Sequence, residues 1–126
     1  MVGSLASGLD PFLASHPIAA DQNIRIDEVA RTPGASYHVA QVRGAETPHR
    51  HVAHDLTALV LRGRGMITID GARRSVGPGD VSVVARGAPH FFVNTDRGVS
   101  VTLVMFTPPL DGRDNEPAID SPSDRR

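Results

Sequence analysis

The chain has 126 residues, with 13 basic against 14 acidic side chains and a formal net charge of −1. That length suits one domain with a real core, and the scattered, balanced charge argues against nucleic acid or an anionic membrane surface as partner. Cysteine is absent and every basic residue is arginine, which excludes disulfides, thiolate nucleophiles, Cys-ligated metal clusters and all lysine Schiff-base chemistry.

There is no tryptophan, and Tyr37 is the only tyrosine. Chemistry must therefore come from His, Asp, Glu, Arg, hydroxyl groups or a bound cofactor. No apolar run approaches the roughly 20 residues that span a bilayer. The N-terminal stretch lacks a basic segment followed by an apolar block, so no secretory signal is expected and the cytoplasm is the expected location.

Asp10-Pro11 predicts the N-cap and first turn of a short helix over 11–15, within an N-terminal segment spanning 1–20. Short β-like runs follow, separated by turn residues. They cover Asn23–Ala30, Ser36–Arg43, His49–Val52, Leu56–Leu61, Met66–Asp70, Arg73–Val76, Val81–Val84, Phe91–Val93 and Val99–Phe106. Asp70-Gly71 is a hairpin signal, because such a turn needs φ > 0. No long amphipathic helix is visible between 21 and 106, so an all-β sandwich or small barrel over 21–110 is expected. From Thr107 the chain becomes proline-rich and charged. A strand-like arm over 107–114 is expected, leading into an extended or disordered tail at 111–126.

PHRHVAHDL, residues 48–56, carries three of the six histidines. On a strand, i and i+2 share a face, so His49 and His51 project together with Arg50 opposite. Paired imidazoles suit Zn, Fe, Cu and Ni, and an added carboxylate brings in Mn. By itself such a pair is weak evidence, found more often as surface or turn histidines than as a metal site. Downstream, GPGDVSVVARGAPHFFVN, residues 77–94, supplies a further turn, an apolar strand, a second turn and His90.

These stretches resemble the two motifs of the cupin family. The first, G(X)5HXH(X)3–4E(X)6G, is followed loosely by residues 44–63. The second, G(X)5PXG(X)2H(X)3N, is matched by Gly79, Ala85 in place of proline, Gly87, His90 and Asn94. The resemblance covers about residues 36–106. It implies an all-β double-stranded β-helix, a jelly-roll-like barrel with a short N-terminal helix and an extended C-terminal arm. It also implies a divalent metal ion (Fe, Mn, Zn or Ni) in the barrel mouth, a small-molecule ligand or substrate, and a homodimer. His49 and His51 match the HXH pair, His90 the third histidine, and Asn94 a position that is usually structural.

The glutamate of the first motif has no clear counterpart. Counting back from Gly63 places it on Leu56, whereas counting forward from His51 places it on Asp55. A bulge near His54 would turn Asp55 inward. His54 is an alternative fourth ligand, and a three-histidine face is the third option. Oxygenase, isomerase and lyase chemistries are all compatible with the resemblance, as is a non-catalytic binding role.

Other residues carry weaker signals. His38 is either a hydrogen-bonded strand histidine or a proton shuttle at the pocket rim. His16 is expected to be solvated, and Phe92 to belong to the core. Arg62, Arg64, Arg73 and Arg74 read as a solvated face, while Arg43 and Arg50 are near enough to the histidines to bind a carboxylate.

Overall fold

The computed structural model describes residues 8–111 and 115–117. Helix α1 (Leu9–Ser15) precedes ten strands: β1 (Ile24–Arg31), β2 (Ser36–Val42), β3 (His49–His51), β4 (Asp55–Arg62), β5 (Gly65–Ile69), β6 (Ala72–Val76), β7 (Val81–Val84), β8 (His90–Asn94), β9 (Ser100–Thr107) and β10 (Asn115–Pro117). They form two five-stranded sheets with orders β1-β2-β9-β4-β7 and β10-β3-β8-β5-β6. The alternation of strands between sheets is that of a double-stranded β-helix. No helix among the described residues is long and apolar enough to cross a membrane.

Side-chain alternation decides what each strand gives the interior. On β2, Val42 joins the inner cluster with Val60, Ile67, Val76 and Phe92. His38 and Ala40, at the same parity, face the cavity described below. Tyr37 and Val39 point the other way, onto a second cluster containing Phe12 of α1, Val29 and Val101. The helix thus covers the outer face of the first sheet. Phe12 is 3% exposed, and burying a ring of that size contributes about 2–3 kcal/mol.

The helix begins one turn-edge earlier than the sequence implies. Gly8 is the N-cap and makes no side-chain cap bond. Asp10 instead lies inside the first turn, where its charge complements the helix dipole, and it pairs with Arg62. His16 is not merely solvated. It stacks on Phe12 with centroids 4.1 Å apart, and its Nδ1 is hydrogen-bonded to the Phe12 carbonyl at 2.9 Å.

The β5–β6 hairpin forms at Asp70-Gly71, both at positive φ (52° and 86°), the backbone a type I′ turn requires. Gly65 answers a different demand, close approach. A Cβ there would lie 2.0 Å from Phe92 Cζ and 2.7 Å from the Val93 carbonyl oxygen. Phe92 itself is core, 8% exposed.

After β9, the chain crosses to the second sheet. Leu110 N–H donates to Ser36 Oγ (2.9 Å) and Arg31 donates to the Leu110 carbonyl (2.7 Å). Strand β10 then pairs with β3, setting Asn115 opposite His51 and Pro117 opposite His49. Residues 118–126, the end of the expected tail, lie outside the described residues.

Candidate metal centre

The connection from β2 to β3 is clipped onto β8, and this brings two distant parts of the sequence together. Asn94 N–H donates to the Gly44 carbonyl and Glu46 N–H to the Phe92 carbonyl, each at 2.8 Å. Asn94 Nδ2 also reaches the Arg43 and Gly98 carbonyls, while its Oδ1 accepts from Asp96 N and Ser100 Oγ. The position that the motif marks as structural is a hub of four bonds. With the loop so held, His49 sits directly opposite His90.

His49, His51 and His90 converge. Each offers a ring nitrogen within 4.8 Å of the other two, and the ring centroids stand 5.0, 4.3 and 5.4 Å apart. His51 and His90 are buried, at 6% and 4% exposure. The Nδ1 atoms of His49 and His90 lie 2.8 and 3.0 Å from the carbonyl oxygens of Thr47 and Ala88. A carbonyl only accepts, so both Nδ1 atoms carry a proton, and in the uncharged form of either ring Nε2 presents the lone pair. The Nε2 of His90 is buried and has no hydrogen-bond partner. Burial, with smaller contributions from His49 and His51 against the Ala88 bond, pushes the His90 imidazole down to about 4. A buried, neutral imidazole with an unsatisfied lone pair facing two others is the donor set that a divalent ion such as Zn, Fe, Mn or Ni satisfies.

Asp55 and His54 are not brought to this cluster. Strand β4 is regular from Asp55, which pairs with Thr107, and its irregularity falls at the other end, between Val60 and Arg62. No bulge near His54 turns Asp55 inward. Asp55 therefore shares the outward parity of Thr57 and Leu59, and its carboxylate accepts from Arg86 N at 2.9 Å and Nη2 at 3.1 Å. Those bonds hold its carboxyl below the usual range. Leu56 is the residue that faces inward, so an apolar side chain occupies the register of the motif's glutamate. His54 is buried, but its Nε2–H donates to the Pro109 carbonyl at 3.1 Å and its ring lies edge-on to Phe106. It secures the C-terminal crossing instead.

One functional candidate escaped the sequence reading. Glu46 lies on the cavity wall with His49, and its Oε1 accepts the Phe92 N–H at 2.9 Å. Its burial raises the carboxyl pKa, partly offset by His49 and by the Phe92 bond. The available signal was positional: Glu46 is the sole carboxylate between Gly44 and His51.

His49 and His51 open onto a cavity of about 580 Å³ whose polar lining is His38, Glu46, Thr47, His49 and His51, and His90 lines a smaller one beside it. Its walls include Ile26, Leu56, Val104, Phe106 and Leu110. Neither arginine considered for substrate binding contributes to this lining. Arg43 donates to the carbonyls of Gln22 and Ala19, and Arg50 has the opposite strand parity to the two histidines. Arg62 and Arg74 are likewise engaged, with Asp10 and with Ser82 and the Val81 carbonyl.

Two packed antiparallel sheets with three histidines at one end define a double-stranded β-helix with the ligand set for a metal. The sequence matches the cupin domain family over residues 36–106, and the chain belongs to that family. It is 35% identical over 94 residues to an uncharacterized protein of Aquifex aeolicus (strain VF5), covering 75% of this chain and 77% of that one. It is 34% identical over 62 residues to the pectin degradation protein KdgF of Dickeya dadantii (strain 3937), covering 49% of this chain and 56% of that one. Among solved structures, KdgF from Halomonas sp. superposes with a TM-score of 0.68 at 28% identity, covering 74% of this chain and 86% of that one.

Proposed function

We propose that this chain is a metal-dependent cupin enzyme acting on a small oxygenated substrate of the sugar or keto-acid type. His49, His51 and His90 would hold the ion, with neither Asp55 nor His54 completing the shell. The observation that carries this reading is the convergence of three ring nitrogens, one of them a buried and unpartnered Nε2, beside a cavity that His49 and His51 line and that is large enough for such a molecule. A divalent ion there supplies Lewis acidity toward a carbonyl or water and, if it is iron, reactivity with dioxygen.

The chain's own residues do the rest. Apolar walls at Leu56, Val104 and Phe106 limit water around the reacting group. The Glu46 carboxylate, raised by burial, is suited to hold or pass a proton beside His49. This favours isomerase or lyase chemistry, which needs a proton moved, over oxygenation. The resemblance to KdgF, a protein named for pectin degradation, supports a sugar-derived substrate class.

Turnover of small hydroxy-carbonyl compounds by protein loaded with Fe, Mn, Zn or Ni, under air and under argon, tests the proposal. Product formed equally in both atmospheres supports proton-transfer chemistry, and product formed only in air supports a dioxygenase. Tight binding without product for every metal favours the second reading, a non-catalytic metal- or ligand-binding cupin. A homodimer is also proposed, supported by the apolar, exposed Val81 and Val83 (52% and 66%) on strand β7. Light scattering giving a clean monomer would refute it.

A further inference from the structure

His38 has no role in the ligand set, yet it sits on the wall of the same cavity. It is 5% exposed, points inward from β2, and meets Phe106 edge-on with centroids 5.3 Å apart. Phe106 meets His51 in the same way at 5.0 Å. One phenyl ring thus separates His38 from the histidine face. The charged groups that act on it are Glu28, its register partner on β1, and Arg31.

Its hydrogen bonding fixes its tautomer. His38 Nε2 lies 2.8 Å from Ser36 Oγ, and Ser36 is fully buried. The same hydroxyl oxygen accepts the Leu110 N–H at 2.9 Å. Leu110 N–H is a donor only, so among the described residues the single hydrogen-bond acceptor for the Ser36 O–H is His38 Nε2. The reverse arrangement would leave a buried hydroxyl proton unpaired, at a cost large enough to decide between the two. Nε2 therefore accepts, and in the uncharged ring the proton resides on Nδ1. Burial lowers the imidazole pKa, which keeps that ring uncharged at neutral pH. Nδ1 makes no hydrogen bond to a described residue and is not among the sealed, unpartnered atoms.

Resting on the metal-centred reading above, we propose that His38 is a substrate-binding residue whose Nδ1–H donates to an uncharged carbonyl or hydroxyl oxygen of the ligand. Beyond the ion itself, the described cavity lining offers no arginine to pair with an anionic group, in keeping with an uncharged ligand. A ring held as a neutral donor can also stabilise negative charge developing on that oxygen, without giving up its proton.

The probe is D-fructose, a neutral ketohexose, titrated into zinc-loaded protein by calorimetry, with imidazole nitrogen shifts read by NMR before and after addition. Asparagine carries its amide nitrogen on Cγ, as the imidazole carries Nδ1, whereas glutamine carries it one bond further, as Nε2. His38→Asn is expected to bind within about twofold of wild type. His38→Gln and His38→Leu are expected to bind about tenfold more weakly, the loss of one hydrogen bond. The wild-type spectrum is expected to show His38 as the Nδ1–H tautomer, with that nitrogen shifting on D-fructose addition. An Nε2–H tautomer, or equal weakening in the Asn and Leu variants, overturns the proposal. Wild type that retains zinc but takes up no D-fructose overturns the uncharged-ligand assignment made here. Wild type that retains no zinc overturns the metal-centred reading and takes this proposal with it.

Discussion

Acid should destabilise the metal-free protein through His90 in a way that can be calculated. Its imidazole falls from the ordinary 6.5 to about 4 in the folded state, chiefly through burial. Below pH 6.5 the unfolded chain takes a proton on this ring while the folded chain does not. The stabilisation is therefore complete above about pH 6.5 and is lost as the pH falls toward 4. Between about pH 7.5 and 4.5 the loss amounts to about 2.5 kcal/mol, a large part of a small domain's stability. Glu46 acts in the opposite sense, since burial raises its carboxyl. The effect is therefore read as a difference between wild type and His90→Gln. Urea unfolding with chelator present, across that pH range, supplies the measurement. Wild type should lose about 2.5 kcal/mol more than the variant on acidification. Parallel curves for the two proteins would refute the argument, because His90 would then bind its proton equally well folded and unfolded.

Three further outcomes follow from the packing. Gly65→Ala should cost about 2–3 kcal/mol in chemical denaturation, since the new methyl meets Phe92 at 2.0 Å and backbone at 2.7 Å; a change under about 0.5 kcal/mol would contradict it. Glu46→Gln should keep the fold, because the amide oxygen can still accept the Phe92 N–H, yet weaken metal binding about tenfold in a competition titration. Asn94→Ala removes four side-chain hydrogen bonds, one joining the β8 end to the Arg43 carbonyl at the start of the loop and three holding the turn from β8 into β9. It should lower stability by about 3 kcal/mol and impair metal retention, because it loosens the clip that sets His49 against His90.

Much of the barrel was legible in the sequence, because turn residues punctuate strands whose alternation carries the inside–outside pattern. β2 shows this well: Ser36, His38, Ala40 and Val42 share one face, and Tyr37, Val39 and Gln41 the other. The register of β4 was harder. Its two faces are both apolar, so hydrophobicity could not say whether Asp55 or Leu56 points inward. The answer came from pairing with β9, where Asp55 meets Thr107 and Leu56 meets Phe106 without an intervening bulge. Arg86, the partner that holds Asp55 outside, lies 31 residues away in sequence, beyond any local signal.

Glu46 was missed for a related reason. The motif's carboxylate lies downstream of His51, while the loop upstream is folded back onto Phe92 by long-range bonds. Strand β10 depends on tertiary context as well. Asn115–Pro117 has little strand character, and it pairs because the short β3 offers an open edge.

The central claim is that His49, His51 and His90 hold a metal ion and that Asp55 and His54 do not. Metal content of purified wild type, His49→Ala, His90→Ala, Asp55→Ala and His54→Ala, each confirmed folded, tests it most directly. Wild type and the Asp55 and His54 variants should retain about one ion per chain, and the His49 and His90 variants should lose it. Unchanged metal content in both the His49 and His90 variants would contradict the account.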